Sequence, residues 1–443
     1  MPALALVAAM LGLVTGGASS SAALRPVISV RQVAPGIKHV RIVRRHHPNR
    51  IHVLRVAVRR KPSIDVALPF PGSFGFRKTS RTAARYGAIA AVNGTFTLPT
   101  GRPYGVFARN GDLKASPLLW TRAFSLADDG KFFTGHPKLS VTVQSPPSEP
   151  WEVGSVNGLL PSGGMSIHTP VGGPLYPPPR NACAARLRRA GDPTWAPLRL
   201  GVDRPFWVGE VQCSSAALLR RNGMVLSALR GTSSAEAVED LDEGERLTVG
   251  WNVGWPQALD VMGGNPLLVK DGRILVPRWC GFAFCNRHPR TGIGVTPSGE
   301  VVLVTVDGRQ PRRSVGMTLA GFARLFRSLG ASDAINLDGG GSTTMVVRGR
   351  VVNRPSDRAG ERRVGSAILV HRRSAPSGVT DGSGGGGTPD RASPAGAVVS
   401  DPASSGGMLD AFSRGALGGA FRALPPGVGR IVRDYRSDQR PAR

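Results

Sequence analysis

Asp338-Gly339-Gly340-Gly341-Ser342-Thr343 sets a carboxylate, three successive glycines and two hydroxyls side by side in the chain. Glycines allow backbone amides to approach a ligand closely, and successive amides can form a nest for an anion. It is not a nucleotide P-loop, because the lysine that motif requires after the glycines is absent. Taken alone the run is equally a loose turn. Asp307-Gly308-Arg309 pairs a second carboxylate with a guanidinium, and Arg290-Thr291-Gly292 adds another guanidinium. Asn93-Gly94-Thr95 and Gly263-Gly264-Asn265-Pro266 are Asn/Gly turns that offer carboxamides, and the first also fits the N-glycosylation pattern. Each has a plain structural alternative. Asp307 can cap its turn, Arg290 can pair with Asp307 or Glu361, and Asn353-Arg354-Pro355-Ser356-Asp357 reads as a turn that buttresses the glycine loop.

The elements that would carry these residues are mostly strands. Val53–Val58, Ala88–Val92, Gly201–Val211, Leu247–Val253, Pro266–Val269, Ile293–Val295 and Val301–Val306 are short apolar runs ended by Gly, Asp or Asn. Lys270-Asp271-Gly272-Arg273 and Pro297-Ser298-Gly299 supply turn chemistry between such runs. The clearest helix is Leu319–Leu329, with Leu319, Phe322, Phe326 and Leu329 on one face, Thr318 as N-cap and Gly330 as terminator. A strand, Asp333–Leu337, then runs into the glycine loop, and a hairpin around Gly349 follows. The pattern predicts an α+β fold with a β-rich mixed-sheet core and few helices. It also sets the polar loops at strand ends, where sites are commonly built.

The chain of 443 residues has a formal net charge of +28 at pH 7, which excludes an acidic or neutral surface. Eleven basic residues from Arg25 to Lys61 precede the first acidic one, Asp65. Such a charge suits nucleic acid, an anionic surface or an acidic substrate, or reflects Arg-biased composition. Met1–Ala23 is uncharged, with an apolar stretch and then small residues, the shape of a signal peptide, though without a basic start. Its apolar core is shorter than a membrane span needs, and no later segment is long and apolar enough, so no transmembrane span is expected. Secretion or an envelope location is expected instead. Four cysteines, Cys183, Cys213, Cys280 and Cys285, fit disulfides better than a zinc site, and the preferred pairing is Cys183–Cys213 with Cys280–Cys285. Residues 24–80 read as a basic lead into a domain at 81–373, and 374–443 as a flexible Gly/Ser/Pro-rich tail.

Together the segments AAVNGTF, MGGNPLLVKDG, RHPRTGIGV, LVTVDGRQ, SVGMTLAGFARLFRSLGASDAINLDGGGSTTMVV and VVNRPSD…ERRV, in this order, resemble the phosphodiester glycosidase family. The resemblance is dense from about Thr82 to Val370, weak across Trp120–Ala196 and absent from the tail. It implies an α+β domain with a polar cleft and a hydrolase that releases a sugar from a sugar-1-phosphodiester. The positions it covers are Asn93, Gly94, Asn265, Arg290, Asp307, Arg309, Asp338–Gly341, Ser342, Thr343, Asn353 and Arg354. Thr95 and Thr97 depart from its first motif. Glycoside cleavage needs a carboxylate near the anomeric carbon and usually a second as acid or base. Asp338 is therefore expected as nucleophile or general base, and Asp307 as its partner or a sugar-hydroxyl acceptor. Arg290 and Arg309 would neutralise the phosphate. Asn93, Gly94, Asn265, Gly339, Gly340, Gly341, Ser342 and Thr343 would line the sugar site. No resident cofactor is expected, with a divalent cation held by Asp307 and Asp338 as the alternative, and His46-His47 read as solvated. The expected partner is a glycan or sugar phosphate. Nucleic acid is not expected, since no groove-reading or base-stacking module is present, while the basic N-terminal stretch is expected to adsorb to an anionic envelope polymer. A non-catalytic carbohydrate-binding protein on the same fold is the alternative reading.

Overall fold

Val301–Val306 is apolar at almost every position because it is covered on both faces. In the computed structural model, Val301 and Leu303 join a core with Leu54, Ile293 and Ile335, while Val302, Val304 and Val306 pack with Phe322 and Phe326. The structure describes residues 26–372 apart from 59–61, 119–120, 128–129, 174, 177–180, 190–199, 214–216, 219–222 and 278–281. Residues 1–23, expected as a signal peptide, residues 374–443, expected as a tail, and Cys280 lie outside the described residues. Among the described residues the fold is strand-rich, with three α-helices, and no helix is long and apolar enough to cross a membrane.

The central sheet has eight strands in the order Val27–Ala34, Ile37–Arg44, Asn49–Ala57, Glu300–Val306, Arg290–Val295, Asp333–Asn336, Leu267–Lys270 and Arg273–Ile274. Leu319–Ser328, the predicted helix, covers one face. The Thr318 side chain accepts from the Gly321 N–H at 3.0 Å, and Gly330 adopts φ +89° just beyond the helix end. On the other face, a five-stranded sheet of Arg350–Val351, Met345–Val347, Ala90–Asn93, Ala367–His371 and Ser63–Ala67 shares the core of Leu54, Val92, Met345 and Ile368.

Residues 27–57 and 63–78 are more than a lead. Asn49–Ala57 pairs antiparallel with Glu300–Val306, Leu54 opposite Leu303, and Ser63–Ala67 pairs with Ala367–His371. The boundary expected at residue 81 therefore falls inside the fold. Apolar residues alternating with polar or basic ones make these segments strands, and the expected run Val53–Val58 covers the end of one of them, Asn49–Ala57.

A second body of strands interrupts the chain between these sheets. Ser140–Gln144, Trp151–Val156, Met165–His168, Gly223–Leu229, Ala182–Arg188, Arg204–Cys213 and Arg246–Asn252 close into a barrel with its own core around Met165, Phe206, Leu226 and Leu247. One of its pairings, Trp151–Val156 with Met165–His168, is parallel, whereas the strands of the central and five-stranded sheets pair antiparallel throughout, so the mixed sheet is the barrel and not the central core. Cys183–Cys213 is a disulfide between paired strands of the barrel. Cys285 is also disulfide-bonded.

Candidate active site

Asp338 follows the strand Asp333–Asn336 and is held by its own backbone. Its N–H donates to Gly94 O at 3.1 Å, and its carbonyl accepts from Asn93 Nδ2 at 2.7 Å. On either side, Leu337 N donates to Thr291 O at 2.9 Å and Gly340 N to Pro289 O at 3.0 Å. The chain then makes a single 3-10 turn, Gly340–Ser342. Strands of two sheets thus fix the position from which the carboxyl projects, while the side chain remains partly exposed.

Two of the glycines are dictated by neighbours. Gly340 has φ +59°, and a Cβ there would lie 3.2 Å from the Arg309 guanidinium, so Arg309 lies against the turn. At Gly341 a Cβ would collide with Asp357 Oδ1 and Arg362 Nη2, partners in an ion pair whose Nε–Oδ2 distance is 2.7 Å. Gly341→Ala must push that pair aside, at an expected cost of about 1–3 kcal/mol, measurable by denaturant unfolding.

The Asp338 carboxyl is pushed up to about 6, first by desolvation, against the opposing effects of the Ser342 hydrogen bond, the Arg362 charge and the Gly339 backbone. It therefore changes charge near neutral pH, as an acid–base or nucleophilic group should. Ser342 contributes its hydroxyl to this carboxyl. The hydroxyl of Thr343 is buried without a hydrogen-bond partner among the described residues.

Several expected ligand contacts prove to be internal. Asn93 is 0% exposed, and its Oδ1 accepts from Thr291 Oγ1 at 2.8 Å and Thr344 N at 3.1 Å. All its polar capacity but one donor position is used to join three segments. Gly94 donates to Ser366 O at 2.8 Å and packs against that serine, leaving no room for a side chain. Arg290 is 2% exposed and donates to the carbonyls of Met317 (3.0 Å), Phe284 (2.7 Å) and Asn286 (2.7 Å). Burial, then the neighbouring Arg309 charge, lowers its pKa to about 10. Neither Asp307 nor Glu361 is its partner: Glu361 instead accepts from Ser80 N and Oγ at the start of the helix Thr79–Arg85.

Asp307 is also fully buried. Its Oδ1 accepts from Asn353 Nδ2 at 3.1 Å and Arg354 N at 3.0 Å, and its Oδ2 from Arg354 N at 3.2 Å. Burial raises its pKa against these hydrogen bonds. Asn353 passes the support onward, donating to Thr343 O at 3.0 Å and accepting from Met345 N at 2.7 Å, so this segment does buttress the glycine turn. Asn265 lies beside the same sheet: its backbone exchanges hydrogen bonds with Asn336, and its Oδ1 accepts from Arg122 at 3.1 Å.

The structure brings Asp338, Ser342, Arg309 and the glycine turn together, with Asn93, Asp307 and Arg290 beneath them. Sequence reasoning had not singled out Arg362 or His288. Arg362 acts electrostatically on Asp338, while burial first, and then the charges of Arg290 and Arg309, lower the pKa of His288. Both lie in the quoted motif segments, RHPR and ERR, but nothing local marks which basic residue points inward.

Residues 204–371 match the model of the phosphodiester glycosidase family. The SPbeta prophage-derived uncharacterized protein YomE of Bacillus subtilis (strain 168) is 42% identical over 91 residues, 20% of this chain and 14% of that protein. The N-acetylglucosamine-1-phosphodiester alpha-N-acetylglucosaminidase of Bos taurus is 38% identical over 88 residues, 18% of this chain and 16% of that protein. The chain thus spans less than a fifth of either relative. A crystal structure of a hypothetical protein from Synechocystis shares the fold, with TM-score 0.63 and 21% identity over 78% of this chain and 64% of that one. The segment that carries Asp307, Arg309, Asp338 and the glycine turn is thus similar to the phosphodiester glycosidase family.

Proposed function

We propose that this chain is an exported hydrolase that cleaves a sugar-1-phosphodiester of the GlcNAc-1-phosphodiester type into free sugar and a phosphomonoester. The observation that carries the reading is the Asp338 carboxyl, set by two sheets at the mouth of the glycine turn and ionising near neutral pH, with the Arg309 guanidinium against the same turn. Asp338 either attacks the anomeric carbon, giving a glycosyl ester that water then hydrolyses to free sugar and carboxylate, or takes the proton from a water that attacks that carbon directly. The bond from that carbon to the phosphate oxygen breaks, and Arg309 and Arg362 neutralise the departing phosphate. A phosphate leaves readily as an anion, so a second carboxylic acid is not required.

Asp307, Arg290 and Asn93 are then positioning residues in place of the substrate contacts expected of them. Their polar atoms hold the loops that carry Arg309 and Asp338. Because both Asp307 oxygens already accept hydrogen bonds from Asn353 and Arg354, they are not offered to a cation, and turnover is expected to be unchanged by a metal chelator. A chelator-sensitive rate restored by added divalent ion would overturn that assignment.

The signal-like leader and the disulfides support an exported setting. The test is hydrolysis of a panel of α- and β-linked sugar-1-phosphodiesters with anomeric analysis of the product. Turnover of at least one by the folded protein is expected. If none is turned over, the non-catalytic binding protein is the better reading.

A further inference from the structure

The three N-terminal strands carry a polar strip that the site above does not use. Register sets Arg31 opposite His39, Ser29 opposite Arg41 and Arg41 opposite His52. With side chains alternating along each strand, Arg31, Arg41 and Arg50 share the face whose deeper positions, Leu54 and Val56, are core. The strip starts at the active-site end. Arg50 N donates to Ser314 Oγ at 3.0 Å, and Asp307 N donates to Arg50 O at 2.9 Å. Ser314 closes the loop that carries Arg309.

This strip is rich in arginine, and its nearby counter-charge is the buried Asp307, which acts on Arg50 and Arg313. No acidic residue precedes Asp65 in the chain, and among the described residues Arg31, Arg41, Arg50 and Arg313 form no ion pair. The Nε atoms of Arg50 and Arg313 are buried without hydrogen-bond partners. After burial, the like charges of Arg313 and Arg41 act to lower the Arg50 pKa, so the guanidinium groups are near enough to repel. His39 and His52 stack, with Nε2 and Nδ1 3.1 Å apart, and burial holds them neutral, His52 down to about 3. The charge of the strip is therefore carried by arginine. Val27–Ala57 contains no Phe, Tyr or Trp, so there is no platform on which a nucleobase could stack.

We propose that Arg31, Arg41, Arg50 and Arg313 form a track for successive phosphates of a linear phosphodiester polymer, a sugar-phosphate or polyol-phosphate chain whose glycosyl phosphodiester sits at Asp338. The inference rests on the reading of the active site given above and narrows its substrate to a polyanion. Adjacent strands lie about 4.8 Å apart, so the track extends beyond a single phosphate.

Linear polyphosphate is the probe, titrated against the full chain by calorimetry with pyrophosphate as the short control. Polyphosphate is expected to bind at least about tenfold more tightly per phosphate. The double variant Arg31→Gln, Arg41→Gln alters two exposed residues outside the active site. It is expected to lose that preference and to lower the slope of log affinity against log salt by about two. Arg31→Lys, Arg41→Lys keeps the slope, and hydrolysis of a small GlcNAc-1-phosphodiester by the Gln variant stays at the wild-type rate while polyphosphate ceases to inhibit it. An unchanged slope in a folded Gln variant overturns the track. So does a single-stranded oligonucleotide of matched charge that binds more tightly than polyphosphate. Loss of slope in a protein that hydrolyses no sugar phosphodiester supports the track and removes the hydrolase reading.

Discussion

Asp338→Asn is expected to abolish turnover of a sugar-1-phosphodiester, by at least about 10³-fold in kcat/KM, and at the same time to stabilise the protein at neutral pH. The two effects share one cause. Asparagine keeps the shape of the side chain and its place beside Ser342, but cannot ionise. In the unfolded chain an Asp ionises near about 3.9, whereas in the fold this one does so at about 6. Below both values the carboxyl is neutral in both states and costs nothing. As pH rises between them the unfolded chain gives up its proton first, so stability falls, and the loss is complete above about 6. The difference is on the order of 2 kcal/mol once partial exposure is discounted. Unfolding midpoints of wild type and variant should therefore converge at pH 4 and separate at pH 8, with the variant higher. In the wild type, kcat/KM should fall about tenfold per pH unit below about 6, because the reactive form is the carboxylate. Retained turnover in the variant, or a rate that rises as pH drops through this window, would falsify the assignment of Asp338.

Asn93→Ala should destabilise the fold by about 3 kcal/mol, since it removes hydrogen bonds to Asp338 O, Thr291 Oγ1 and Thr344 N worth about 1 kcal/mol each in a buried setting. Freed of its clamp, the Asp338 backbone shifts, and a misplacement of about 1 Å lowers kcat by about 10²-fold. Denaturant unfolding and steady-state kinetics separate this from direct sugar contact. A sugar-binding Asn93 would raise KM and leave stability unchanged. That outcome would return Asn93 to the list of substrate contacts.

The strands of the central sheet were legible because burial on two faces demands unbroken apolar runs, and Val301–Val306 and Ile293–Val295 have them. The helix at Leu319 was legible from its apolar face and its two caps. Met345–Val347 and Arg350–Val351 turn through Gly349 as expected. Of the three N-terminal strands the third was legible in part as Val53–Val58, while the first two were less visible because exposed arginines interleave with their valines, and only pairing through the third to Glu300–Val306 shows that they complete the sheet. Two strands of the barrel were legible as the runs Gly201–Val211 and Leu247–Val253, but the barrel was not. Nothing in the order of its strands says which close on which.

At the site, residue types offered Asp338, the glycine turn and Arg309 as candidates beside the plainer reading of a loose turn, and it was the combined motifs and the resemblance they carry that raised them. Which of the remaining polar residues face a ligand was not in the sequence. Asn93, Asp307 and Arg290 have the same chemistry as ligand-binding groups, but each is surrounded by backbone donors or acceptors brought from segments far away in the chain. A buried polar group must satisfy its hydrogen bonds where it lies. Its partners, and so its role, are set by how the sheets meet.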